Sequence, residues 1–223
     1  MEFILFTLIC ALAVASISAF NRDSRILRAL RGAERLAIAS AGNRSAKLVG
    51  ELQLFDAPLV APLTGRRCAY YVAVVEEFDG EDWRRIIQES RGVPFLLEDP
   101  SGIAVVLPDD AQAVLASEVH ARSGRLEHAT AAERNFLRKH EGRRPSTSSA
   151  SSSGSPSLTR RLRFSEAVLE AGDQVAVLGL CMEEPNPEAV AAPLGGYRSL
   201  TTCTRVYGSS EFPLRLSNEP SCL

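Results

Sequence analysis

The stretch AYYVAVVEEFDGEDWRRIIQ, residues 69–88, decides the fold class. Its first ten residues are mostly β-branched, aromatic or small, the types that fit a pleated, half-buried surface, and Asp79-Gly80 then supplies the pair that tight hairpin turns favour. A second apolar run opens at Trp83, so the stretch predicts two antiparallel strands, 69–78 and 83–88, joined at that turn. The same texture extends in both directions. Runs at 47–54, 94–98, 103–107, 161–168 and 174–181 are again rich in Val, Leu, Ile and Phe. Asp99-Pro100-Ser101-Gly102 forms a second turn signal, and Glu170-Ala171-Gly172-Asp173 a connector. Seven short strands predict a mainly β domain, a small sandwich or barrel.

One helix interrupts the strands. Thr130 followed by Glu133 is a capping-box signature, Ala132, Phe136 and Leu137 give an apolar stripe, and Arg138-Lys139 make a basic end, so this helix is expected to pack on the sheet. Residues 145–157 are almost entirely Ser with Thr, Ala, Gly and Pro, a composition that buries too little apolar surface to offset ordering. They are expected to form a flexible surface loop. Beyond Met182 the chain reads as an irregular tail in which only 201–207 and 212–216 resemble strands.

At the other end, residues 3–20 are uncharged, mostly apolar and of a length to cross a bilayer as a helix. A signal peptide is the competing reading, with Ala13-Val14-Ala15 as the small-x-small cleavage pattern, and it would make the remainder an exported β domain. Against it, Glu2 is the charge that precedes the apolar run, whereas Arg22, Arg25, Arg28, Arg31 and Arg35 crowd its far side. Arginines placed there predict a single-pass anchor with the body of the protein in the cytoplasm. Ile26, Leu27, Leu30, Ala33, Leu36 and Ala37 recur at helical spacing and predict an amphipathic helix over 24–40. Its arginines are placed either to touch anionic lipid headgroups or to form a plain solvated stalk. The organisation is then a membrane helix at 3–20, a basic juxtamembrane segment at 21–46, a β domain at 47–182 and a tail at 183–223.

Little in the sequence speaks for catalysis. A net charge of −2 and an isoelectric point near 6.0 argue against a general nucleic-acid binder. Lys47 and Lys139 are the only lysines among 25 cationic residues, a bias typical of GC-rich bacterial coding sequences. Cys10, Cys68, Cys181, Cys203 and Cys222 contain no C-x-x-C pair, and His120, His128 and His140 form no metal-binding face, so neither a metal nor another cofactor is expected. No nucleophile elbow, phosphate loop or dinucleotide fingerprint occurs. The paired carboxylates Glu76-Glu77 and Asp109-Asp110 read as solvated charges, because neighbours on a strand point to opposite faces. One constellation suggests recognition of a protein or lipid partner: Trp83 beside Arg84 and Arg85, close to Tyr70 and Tyr71, with core packing of the aromatics as the alternative.

Several stretches taken together resemble a known family. They are Leu48-Val49-Gly50; Pro62-Leu63-Thr64-Gly65-Arg66-Arg67-Cys68-Ala69-Tyr70-Tyr71; Trp83; residues 95–102, FLLEDPSG; and residues 166–173, EAVLEAGD, leading into Val175-Ala176-Val177-Leu178-Gly179. The likeness is to the GIDE ("beside a membrane") domain of mitochondrial membrane-anchored E3 ubiquitin ligases and of bacterial membrane proteins, over residues 47–179. It implies a membrane-proximal β module that binds or senses something at the bilayer. In the eukaryotic ligases a second transmembrane segment and a zinc-binding RING follow. This sequence departs from them after Gly179, with no second apolar run of spanning length and too few Cys and His for the eight ligands of a RING. The resemblance therefore implies a binding or scaffold module, with a ligase-family protein served by a separate RING as the alternative.

Overall fold

The computed structural model describes residues 22–55, 57–116, 118–140, 161–185 and 202–223. The expected membrane helix at 3–20 and the serine-rich loop at 145–157 lie outside these described residues. Among the described residues no helix is long and apolar enough to cross a membrane. Among the described residues the protein is mainly β, with α1 at 22–32, α2 at Ala131–His140 and thirteen strands. In chain order the strands are β1 (Arg44–Leu54), β2 (Leu59–Val60), β3 (Arg67–Cys68), β4 (Tyr70–Phe78), β5 (Trp83–Gly92), β6 (Phe95–Asp99), β7 (Gly102–Val106), β8 (Gln112–Val114), β9 (Glu118–Arg125), β10 (Arg161–Leu169), β11 (Gln174–Pro185), β12 (Thr202–Tyr207) and β13 (Arg215–Ser217). They fall into two compact units, one made of residues up to Glu51, Leu96–Val114 and Gln174–Leu223, the other of Leu52–Phe95 and Leu115–Asp173.

In the first unit β1, β6, β7, β12 and β11 pair in that order, and β11 returns to β1, closing a five-stranded ring with β13 and β8 attached beside β11. Closure leaves the ring no exposed edge. Five successive residues of β1, Ala46–Gly50, are buried, which a one-faced strand would not show. The outer face is covered by α1, whose Ile26 and Leu30 pack on Val49 and Ala176 with Cys222. Each of those two side chains contributes roughly 1.5–3 kcal/mol through burial. The helix ends at residue 32 rather than continuing to 40, because the chain turns extended to pair with β1: the Leu36 amide donates to the Lys47 carbonyl at 2.9 Å, and Arg35 bridges Lys47. A 3-10 turn at Ile38–Ser40 follows, tied down by Asp99, whose Oδ2 accepts the Ile38 amide at 2.9 Å. Partial burial opposes the Asp99 charge, but bonds from Ser101, Ile38 and Gly102 outweigh it and hold the carboxyl below its ordinary range.

The second unit holds an antiparallel sheet in the order β5-β4-β10-β9, the small β2–β3 ladder and α2. Its inner face carries Ala73, Val75, Leu162, Phe164 and Val168, packed with Phe136 of α2. The capping box forms as expected: the Thr130 amide donates to Glu133 Oε2 at 2.6 Å, and the Glu133 amide to Thr130 Oγ1 at 3.2 Å. Thr130→Ala is expected to cost about 1 kcal/mol, lowering Tm by about 2–4 °C in a thermal melt. Burial, helped by the Glu166 and Glu170 charges, pushes the Cys68 thiol up to about 12, and burial pushes Cys181 up to about 11. Both are therefore inert structural thiols.

Three further features depart from the sequence expectation. The second strand of the hairpin runs on to Gly92, a strand at Glu118–Arg125 had no apolar signal, and the supposed tail supplies β12 and β13 to the ring sheet.

Candidate functional site

Period-two alternation sorts the side chains of the four-stranded sheet. On β10, Leu162, Phe164 and Glu166 point inward, leaving Arg161 and Arg163 on the outer face; on β4, Ala73 and Val75 point inward and leave Glu76 and Phe78 outside. Register then sets Trp83 opposite Phe78, and Arg85 and Arg163 on either side of Glu76. The result is an aromatic and cationic ladder. The Arg163 guanidinium lies 4.2 Å from the Trp83 ring centre, Arg161 lies 5.1 Å from that of Phe78, and the two rings are 5.4 Å apart at 51°. Arg163 also reaches Glu76 Oε2 at 3.3 Å. Such contacts hold the guanidinium planes against the ring faces.

A second constellation lies where β5 passes the end of α2. The hydroxyl of Tyr71 donates to Glu89 Oε1, Lys139 Nζ reaches both Glu89 oxygens at 2.9 Å, and His140 Nε2 stands 2.9 Å from Oε2. His140 Nδ1 faces the Phe136 carbonyl at 2.9 Å. Burial works against the Glu89 charge but is outweighed by the Tyr71 bond and by Lys139 and His140, so the carboxyl titrates below its ordinary range. Burial and the bond to Glu89 drive the Tyr71 phenol far above its ordinary value. Glu89, Lys139 and His140 belong to the lining of a cavity of about 490 Å³ formed by residues 86–91 of β5 together with Lys139 and His140.

The sign of the pH effect follows. A carboxyl lowered in the folded state stabilises above its unfolded pKa, and that contribution is lost as pH falls through the folded value. Glu89→Gln is expected to be less stable than the parent at pH 7 and to converge on it in acid, which urea unfolding at pH 7 and pH 3 measures.

The structure separates the residues that the sequence grouped. Tyr70 and Tyr71 are buried, 2% and 3% exposed, so they do not belong to a contact surface; Trp83 is half-buried in the ladder, and Arg84 and Arg85 are exposed. Arg85 donates to Gln88 at 2.8 Å. Arg22, Arg25, Arg28, Arg31 and Arg35 are all exposed, with Arg31 donating to Ser221 Oγ at 2.7 and 3.0 Å and Arg35 to the Val49 carbonyl at 3.4 Å. Arg161 and Arg163 were missed, although the alternation Arg161-Leu162-Arg163-Phe164 carries them as the outward set. Glu89, Lys139 and His140 meet only through the fold, so no local pattern announces them. Among the described residues no group of three or more His, Cys, Asp or Glu is placed to hold a metal ion.

No curated protein and no solved structure gives a significant match. A family model does match, GIDE, described as E3 ubiquitin ligase, over residues 74–193, which is more than half of the 223-residue chain. It overlaps most of the region whose residues resembled that family and extends past it into the segment after Gly179. The chain belongs to the GIDE family.

Proposed function

We propose that this protein is a membrane-anchored GIDE-family binding module, held in the bilayer by residues 3–20 with its body in the cytoplasm, which presents a partner without carrying out transfer chemistry itself. The observation that carries this reading is the division of α1 into two faces. Ile26 and Leu30 are spent on the core, while Arg22, Arg25, Arg28 and Arg31 remain exposed immediately after the apolar run. A helix whose apolar stripe is already buried cannot lie in the acyl region, but its arginines can meet anionic headgroups electrostatically. The full chain is expected to stay in the membrane fraction through alkaline carbonate washing, with its amino terminus intact. Recovery of a shortened, soluble, exported chain would overturn the proposal.

The family match favours a second reading, a ligase-family component that works with a separate RING protein. Co-purification of a RING protein with the full chain from native membranes would favour the second reading over the first. Purified protein with charged conjugating enzymes is expected to yield no ubiquitin chains; chain formation by the protein alone would contradict both readings.

A further inference from the structure

We propose that the outer edge of β5 is a docking site for an extended, acidic segment of a partner protein, which joins the sheet as an additional antiparallel or parallel strand. β5 is the terminal strand of the four-stranded sheet, and among the described residues nothing pairs with its outer edge. Alternate residues of an edge strand present unpaired N–H and C=O groups outward, a template that another chain can complete. Proteins usually blunt such an edge by keeping it short or bulged; β5 is ten residues long, and its register irregularity falls between Arg85 and Ile87, leaving 87–92 in regular register. The cavity of about 490 Å³ runs along this strand, since six consecutive residues, 86–91, line it, and the end of α2 forms its opposite wall. A compact ligand would touch residues gathered from several elements. A lining that is mostly one continuous strand suits an extended backbone.

Charge selects the chemistry of the occupant. Arg91 is exposed in the lining, two residues on from Glu89 and therefore on the same face of the strand, and Lys139 projects from the opposite wall. The one carboxylate in the lining, Glu89, is already engaged by Tyr71, Lys139 and His140. The acidic turn residues Asp79, Glu81 and Asp82 lie outside the lining. A segment with carboxylates at alternate positions would meet these cations on one face while its main chain completes the edge. This inference rests on the reading of the chain as a binding module. It does not depend on the anchor, because carbonate extraction and peptide binding are measured separately.

The test uses the full chain in detergent micelles and a fluorescent peptide of alternating Glu and Val, with a Lys-Val peptide of equal length as control. Two further Glu-Val peptides carry N-methyl groups on every second amide, one set in each phase. The expected result is saturable binding of the Glu-Val peptide, at least tenfold weaker binding of the Lys-Val control, and loss of binding for one N-methyl phase with retention in the other. Hydrogen exchange should show protection gained at every second amide between residues 86 and 92. Arg91→Glu should weaken binding at least tenfold while leaving the melting curve in place, whereas Arg85→Glu, on the other face of the strand, should leave binding unchanged. Equal binding of both N-methyl phases, exchange protection elsewhere than β5, or no saturable binding of the Glu-Val peptide would each overturn the proposal.

Discussion

Replacing Glu166 by alanine is expected to remove about 3–5 kcal/mol from the stability of the protein. Glu166 is 1% exposed and points inward from β10. Its Oε1 accepts the Leu63 amide at 2.8 Å, and its Oε2 accepts both the Thr64 amide at 2.9 Å and the Thr64 hydroxyl at 2.5 Å. The carboxylate thereby takes up three donors of the turn that links β2 to β3. Removing it strands two backbone amides beside the Ala61, Leu63 and Cys68 cluster, and a buried donor left without an acceptor costs about 1–3 kcal/mol. The lost side-chain volume adds a cavity. At this chain length the change corresponds to a fall in Tm of about 6–20 °C, read by calorimetry. Glu166→Gln keeps the shape but turns a donor toward donors, so it should fall between the parent and the alanine variant. An alanine variant that melts with the parent would show that the turn does not depend on this carboxylate.

A comparable loss is expected from Gly50→Ala, for a steric reason. Gly50 lies in β1 opposite Val175, and a Cβ built on it would stand 2.3 Å from the Glu98 carbonyl oxygen and 2.9 Å from its carbon. Those atoms are backbone of β6, the neighbour of β1 in the closed ring, so relief requires the strands to part. Overpacking of a well-filled interior costs about 1–3 kcal/mol when side chains yield, and the upper end or beyond is expected where only main chain yields. Gly124→Ala is the control: a Cβ there meets nothing within 4 Å, and its melting temperature should be nearly unchanged. Far-ultraviolet circular dichroism melts of the two variants, made side by side, decide the matter. Equal melting temperatures would mean that the ring tolerates a wider strand spacing at this point.

The strands that were legible in the sequence are those buried on at least one face. The alternation of β4 and β10 and the dense apolar runs of β1 and β11 are direct imprints of what each strand packs against. β9 offers no such pattern to read: its sequence, EVHARSGR at 118–125, is mostly polar and small, and it is a terminal strand of its sheet. β12 and β13 were readable as strands, yet their places beside β7 and β8 were not, since parallel partners more than ninety residues away leave no local trace. The helix over 24–40 was overextended because its apolar spacing continues to Ala37, whereas pairing with Lys47 offers the backbone of 35–36 a better outlet for its hydrogen bonds. In the candidate site, Trp83, Arg84 and Arg85 were legible as neighbours in sequence. Tyr70 and Tyr71 were misgrouped with them because both phenol rings are drawn into the interior, Tyr71 finding the carboxylate of Glu89 there.

The interleaving of the two compact units has a consequence for synthesis on the ribosome. Everything the second unit needs has emerged once Asp173 has left the exit tunnel, whereas the five-stranded ring waits for β11 and β12. Until then β1, β6 and β7 exist as a sheet with an open side, and closure is the last and most non-local event, the kind that loop entropy slows. Nascent chains stalled before residue 202 should therefore be the species that holdase chaperones bind and that aggregate, with one unit native and the other still a template for stray strands.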